Sequence, residues 1–191
     1  MTRKQTVLTV ALLNLAYFGV EFGTARAIGS VSLFADSIDF LEDASINLLI
    51  LMALAWSARR RAFVGMALAG MILVPGVATL WTAWEKFGNF VPPEPFALSL
   101  VGAGAMAVNG TCALLLARHR HAGGSLMRAA FLSARNDVLA NITIVLAGIV
   151  TLWTASPLPD LVVGLGIAAI NADAARDVWQ AARKEHRSAS A

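Results

Sequence analysis

The stretch SLFADSIDFLEDASIN, residues 32–47, places four acidic side chains inside an otherwise apolar segment: Asp36, Asp39, Glu42 and Asp43. Asp39 and Asp43 are four residues apart, so on a helix their carboxylates share one face about one turn apart. Ionisable groups within a membrane cost roughly 2.5–3.5 kcal/mol each and usually mark an ion or substrate pathway. The stretch therefore predicts a membrane helix whose two carboxylates bind a cation.

The composition supports a membrane environment, because 58% of the 191 residues are hydrophobic and only 14% are charged. A soluble domain is usually about a quarter charged, and each bilayer crossing needs roughly 20 apolar residues. We predict an all-α membrane protein with six transmembrane helices at residues 5–26, 32–57, 62–87, 95–117, 126–153 and 158–183. Residues 1–187 are expected to form one transport domain, with a short tail at 188–191.

The positive charges follow the loops rather than one face, which favours membrane orientation over nucleic-acid binding. Most of the basic residues in the predicted loops and termini fall on one side of the membrane. They are Arg3 and Lys4, the run at 59–61, the loop at 118–120 and the segment at 183–187. Cytoplasmic loops are enriched in Lys and Arg. We therefore expect both termini in the cytoplasm, in a multi-pass protein of a bacterial inner membrane.

The fifth predicted span carries a second polar stripe, because Ser133, Asp137 and Asn141 recur every four residues and Asn136 flanks them. Measured along the helices, Asp43 and Asp137 both lie roughly 15 Å from a membrane surface, near the midplane. Carboxylate, amide and hydroxyl oxygens suit divalent cations. The predicted metal site comprises Asp39, Asp43, Asp137, Asn136 and Ser133. The alternative is structural, with the acids paired to Arg135 or hydrogen-bonded between helices.

Other polar residues are possible accessories to this site: Asp36, Asn141, Glu21, His119 and His121. Glu21 is a candidate proton carrier, while hydrogen bonding between helices explains it equally well. His119 and His121 lie in a basic loop, where they either capture metal or are simply solvated. We predict no catalytic residue and no bound cofactor, because no histidine lies in a predicted span to act as a base.

Several short motifs occur together along the chain. They are Asn14 and Glu21 in the first span, SVSLFADS at 30–37, Asp39 and Asp43, Asn109 in the fourth span, RHRH at 118–121, and Asp160 with Gly164 entering the sixth. In combination they resemble the cation diffusion facilitator (CDF) family. The resemblance implies a six-helix fold and exchange of Zn²⁺, or a related ion such as Cd²⁺, Mn²⁺, Fe²⁺ or Co²⁺, for protons, with export from the cytoplasm.

Two departures from the family pattern affect these expectations. Ser133 stands where the family has His or Asp, four residues before Asp137. The chain also ends soon after the sixth span, so we expect no cytoplasmic metal-binding domain and a homodimer formed through membrane helices. Alternative functions are a non-transporting metal-binding partner or sensor subunit, and a transporter of organic cations.

Overall fold

The computed structural model describes residues 1–53, 77, 79–88, 91–119 and 124–188. The regular structure within these ranges is helical. The helices are α1 (Arg3–Ile28), α2 (Val31–Ala53), α3 (79–88), α4 (Pro95–Ala117), α5 (Gly124–Thr154) and α6 (Leu158–Ser188). Most of the predicted third span, 62–87, and the histidine at 121 lie outside the described residues.

The first two helices are joined by a very short turn. α1 begins with a capping box, in which Thr2 and Gln5 exchange hydrogen bonds between side chain and backbone. It ends at Gly29, whose φ of 64° is a left-handed conformation that glycine adopts without steric cost. Because α2 starts only two residues later, α1 and α2 run antiparallel and pack along each other.

α2 occupies the centre of the described bundle, since it contacts α1, α4, α5 and α6. α4 and α5 form the other extensive helix pair. Much of α2 is buried, including Leu33, Ile38 and Phe40 among its apolar residues. The helix that carries Asp36, Asp39, Glu42 and Asp43 is therefore the described helix with the most neighbours.

The outward faces of the other helices are apolar. Leu12, Leu114 and Leu139 are more than half exposed, and so are several aromatic side chains at helix ends such as Trp153. Three of the described helices are long and apolar enough to cross a membrane: Arg3–Ile28, Pro95–Ala117 and Ala130–Thr154. Exposed apolar surface of this extent is stable in lipid rather than in water. The protein is an integral membrane protein.

The helix boundaries predicted from sequence are close to those observed. α4 has the predicted limits, and α1 and α5 start or end within two residues of theirs. α6 continues to Ser188, beyond the predicted end at 183. The segment after 180 is rich in Ala, Arg, Lys and Glu, which favour helix in water as well as in lipid, so loss of hydrophobicity did not end the helix.

Candidate ion-binding site

Asp43 joins three helices through its side chain. It is buried in α2; its Oδ1 accepts a hydrogen bond from Ser133 Oγ of α5 at 3.0 Å, and its Oδ2 accepts one from Asn14 Nδ2 of α1 at 3.5 Å. Asn14 Oδ1 in turn accepts the Cys112 thiol of α4 at 3.5 Å. The structure thus brings the second and fifth helices together at a predicted ligand, and adds α1 and α4.

Asp39 and Asp137 lie next to this group. Both are half-buried. Asp39 lies close enough to Asp137 and to the other acids of α2 for their charges to interact, and Asp137 likewise lies close to Asp43. The carboxylates of α2 and α5 therefore face one region of the bundle, where their like charges oppose each other.

A third polar group lies closer to the turn between α1 and α2. Asp36 is fully buried and accepts a hydrogen bond from Asn141 Nδ2 of α5. Asn141 Oδ1 accepts one from Asn109 Nδ2 of α4 at 3.0 Å. Glu21 of α1 is also fully buried, with its carboxyl group within hydrogen-bonding reach of Asp36.

These groups form one continuous arrangement, which we call the polar column. It has an Asp43 level (Asn14, Asp43, Ser133), an Asp39 level (Asp39, Asp137) and an Asp36 level (Glu21, Asp36, Asn109, Asn141). On each of the antiparallel helices α1 and α2, seven residues separate the outer two levels, or about 10 Å at 1.5 Å per residue. Oxygen-bearing side chains are therefore spaced over about 10 Å along the packed helices α1 and α2.

Some predicted ligands are not brought to the column. Asn136 is exposed, and its Oδ1 accepts a hydrogen bond from the adjacent Arg135 at 3.3 Å. His119 lies in the turn after α4, away from the column. Across the described ranges, no three His, Cys, Asp or Glu side chains already converge as metal ligands. One ion bound by Asp39, Asp43 and Asp137 must therefore draw these carboxylates together.

Asp160 of α6 has a role that spacing alone did not reveal. It is fully buried, and its carboxylate accepts hydrogen bonds from the hydroxyls of Ser30 and Ser32 and from the backbone amides of Val31 and Ser32, over 2.6–3.1 Å. Lys86 Nζ lies 4.0 Å from Asp160 Oδ2. Asp160 therefore caps α2 from another helix, and the available signal was an acid in the first turn of α6 together with serines before α2.

Gly164, one turn after Asp160, explains how α6 approaches so closely. A Cβ atom at Gly164 would lie 2.6 Å from the Val31 carbonyl carbon and 2.7 Å from Ser32 N. Only a residue without a side chain fits against this part of the α2 backbone. The motif Asp160 with Gly164, noted from the family resemblance, thus positions the helix that carries the acids.

A helical bundle with an apolar exterior and carboxylates and amides in its interior, as in the polar column, is typical of membrane proteins that conduct or transport ions. The sequence matches the cation efflux transmembrane domain over residues 7–183. The chain belongs to this family, whose members are cation transporters rather than enzymes. Among curated proteins, no relative matches the chain.

Proposed function

We propose that the protein exports a divalent metal ion, with Zn²⁺ as the first candidate substrate and Cd²⁺, Mn²⁺, Fe²⁺ and Co²⁺ as further ones, in exchange for protons. One observation carries the proposal: the Asp43 carboxylate of α2 is hydrogen-bonded to Ser133 of α5, beside the carboxylates of Asp39 and Asp137. Like charges that face each other within a membrane-embedded bundle are stabilised by a cation placed between them.

Asp39, Asp43 and Asp137 are the proposed principal ligands. Carboxylate oxygens bind Zn²⁺ and harder divalent ions alike. Ser133 is the next candidate because its hydroxyl already contacts Asp43. Asn136 is proposed as a further ligand, and this role requires its exposed side chain to rotate toward the column.

Exchange for protons follows from the ligand chemistry. Metal binding requires deprotonated carboxylates, so protons and metal ions compete for the same oxygens. An inward proton gradient would load the column with protons on one side of the membrane, displace the metal ion there, and so drive the metal outward.

The test is metal flux in proteoliposomes that contain a fluorescent metal indicator. Wild type is expected to move Zn²⁺ at a rate that depends on the pH gradient, and Asp43→Asn should lose most of that flux. Glu85→Gln is the matched control, because this exposed acid of α3 contacts Trp81 outside the column. Flux without dependence on the pH gradient would refute proton coupling, and full flux in Asp43→Asn would refute the site.

A second candidate function is a metal-binding subunit that does not transport. The observation in its favour is that Ser133 stands where the family pattern has His or Asp, which leaves the site one strong ligand short. Stoichiometric metal binding by the purified protein, with no flux under any pH gradient, would favour this alternative.

A further inference from the structure

Glu21 and Asp36 form a buried pair of acids for which the described residues provide almost no compensation. Both side chains are fully buried. No N–H or O–H group of the described residues donates a hydrogen bond to Glu21 Oε1, Glu21 Oε2 or Asp36 Oδ1. Asp36 Oδ2 alone is paired, with Asn141. Three carboxylate oxygens therefore point into the protein interior without a donor.

When both acids are ionised, this arrangement is unfavourable unless a cation lies between them. Two ionised carboxylates repel each other, and buried acceptors without donors lose the hydrogen bonds they had in water. The Asn141 amide does not compensate both acids, because its NH₂ donates to Asp36 and not to Glu21, and its oxygen accepts from Asn109. That amide oxygen has a second lone pair and so adds one neutral ligand to the carboxylate oxygens.

The Asp36 level is also too far from the Asp43 level for both to share one ion. The two levels are separated by seven residues on α1 and on α2, or about 10 Å along the helices. Metal–oxygen distances are about 2.0–2.6 Å, so an ion at Asp43 cannot contact Glu21. An ion bound by Glu21 and Asp36 would therefore be a second ion.

We propose that Glu21 and Asp36, with Asn141, form a second divalent-cation site in series with the site at Asp43. The inference rests on the proposed function, in which the polar column carries metal ions. Two carboxylates match the charge of one divalent ion, and an all-oxygen ligand set suits hard ions such as Mn²⁺. An ion leaving one level then has a second position of similar chemistry on the same axis.

The test counts Mn²⁺ ions bound per chain by the full-length protein in lipid nanodiscs, with free Mn²⁺ measured by electron paramagnetic resonance. Wild type is expected to bind two ions. Glu21→Gln and Asp36→Asn should each bind one ion, Asp43→Asn should bind one, and the double variant Asp36→Asn with Asp43→Asn should bind none. Glu85→Gln, outside the column, should bind two.

Other Mn²⁺ counts would refute either the second site or the proposed function. One ion in wild type that Asp43→Asn loses and Glu21→Gln keeps would leave the proposed function intact and refute the second site. A single ion in wild type that is lost both in Asp43→Asn and in Glu21→Gln would show one shared site and would refute the second. A shared proton between Glu21 and Asp36 would likewise leave one Mn²⁺ per chain. Loss of the Asp43 ion together with unchanged flux would instead refute the proposed function.

A second measurement covers variants that fold poorly. Mn²⁺ should raise the melting temperature of Asp43→Asn, in which the Asp36 level remains, because a ligand that binds only the folded state stabilises it. It should have no such effect on Glu21→Gln combined with Asp43→Asn. Equal Mn²⁺ stabilisation of both variants would overturn the second site.

Discussion

Asp160 in the first turn of α6 accepts two hydrogen bonds from Ser32 at the start of α2, one from its hydroxyl at 2.6 Å and one from its backbone amide at 3.1 Å. The first amides of a helix have no partner within that helix, so a carboxylate there compensates both the free donors and the helix dipole. The helix that carries the acids is thereby anchored to α6.

Removal of this carboxylate should destabilise the protein. Asp160→Ala leaves buried hydroxyl and amide donors of residues 30–32 without their acceptor, at an expected cost of about 2 kcal/mol or more. The measurement is unfolding in detergent by denaturant. Lys86→Gln is the comparison, since it removes the 4.0 Å ion pair with Asp160 and the exposed hydrogen bond to the Val91 carbonyl, but keeps the buried hydrogen bonds of Asp160. An Asp160→Ala variant as stable as wild type would contradict the capping role.

Gly164 offers a test of the close approach between α6 and α2. Gly164→Ala places a methyl group 2.6 Å from the Val31 backbone, and overpacking of this kind costs about 1–3 kcal/mol. Gly166→Ala is the matched control, because its Cβ would meet nothing within 4 Å. Alanine favours helix over glycine by about 1 kcal/mol, so the control should be neutral or slightly stabilised. Equal melting temperatures for the two variants would be inconsistent with the contact.

Ser133 stands where a stronger ligand would strengthen the site. Its hydroxyl already contacts Asp43, so Ser133→Asp adds a carboxylate within reach of an ion held there. We expect metal to bind about tenfold more tightly, or roughly 1.4 kcal/mol, as measured by calorimetric titration. Asn136→Asp, at the exposed neighbouring position, serves as the control and should change affinity little. A larger gain at 136 than at 133 would show that the ligands come from the other face of α5.

Metal binding should release protons. Because an ion binds only deprotonated carboxylates, affinity is expected to fall as pH falls, by about tenfold per pH unit for each proton displaced. The number of protons is measured by titration calorimetry in two buffers with different ionisation enthalpies. Asp43→Asn should release fewer protons than wild type. Affinity that does not change with pH would exclude proton exchange at this site.

The helices were predictable because their signals are local. Apolar length and loop punctuation located α4 at its observed limits and α1 and α5 to within two residues. The four-residue spacing of Ser133, Asp137 and Asn141 also predicted one polar face. Spacing along one helix does not predict which residues of other helices that face contacts. In the structure Ser133 lies against Asp43, Asp137 near Asp39, and Asn141 against Asp36.

Other parts of the site could not be predicted, because they depend on which way each side chain points around its helix and on which helices pack together. Asn136 is adjacent in sequence to Asp137 but points about 100° away around the helix axis, and it is exposed beside Arg135. Glu21 and Asp36 belong to different helices, and no spacing within either one predicts that their carboxyl groups meet. The short turn at Gly29 makes α1 and α2 antiparallel neighbours and so pairs residue 14 with 43 and residue 21 with 36.

The amino-acid sequence by itself determined that this is a helical membrane protein with acids along α2, because hydrophobic length and helical period act within about 20 consecutive residues. Only the tertiary structure decided which acids share a level, which accept hydrogen bonds from amides and hydroxyls, and how Asp160 anchors α2. These contacts join residues as far apart as 30 and 160, and their geometry depends on how whole helices pack against one another.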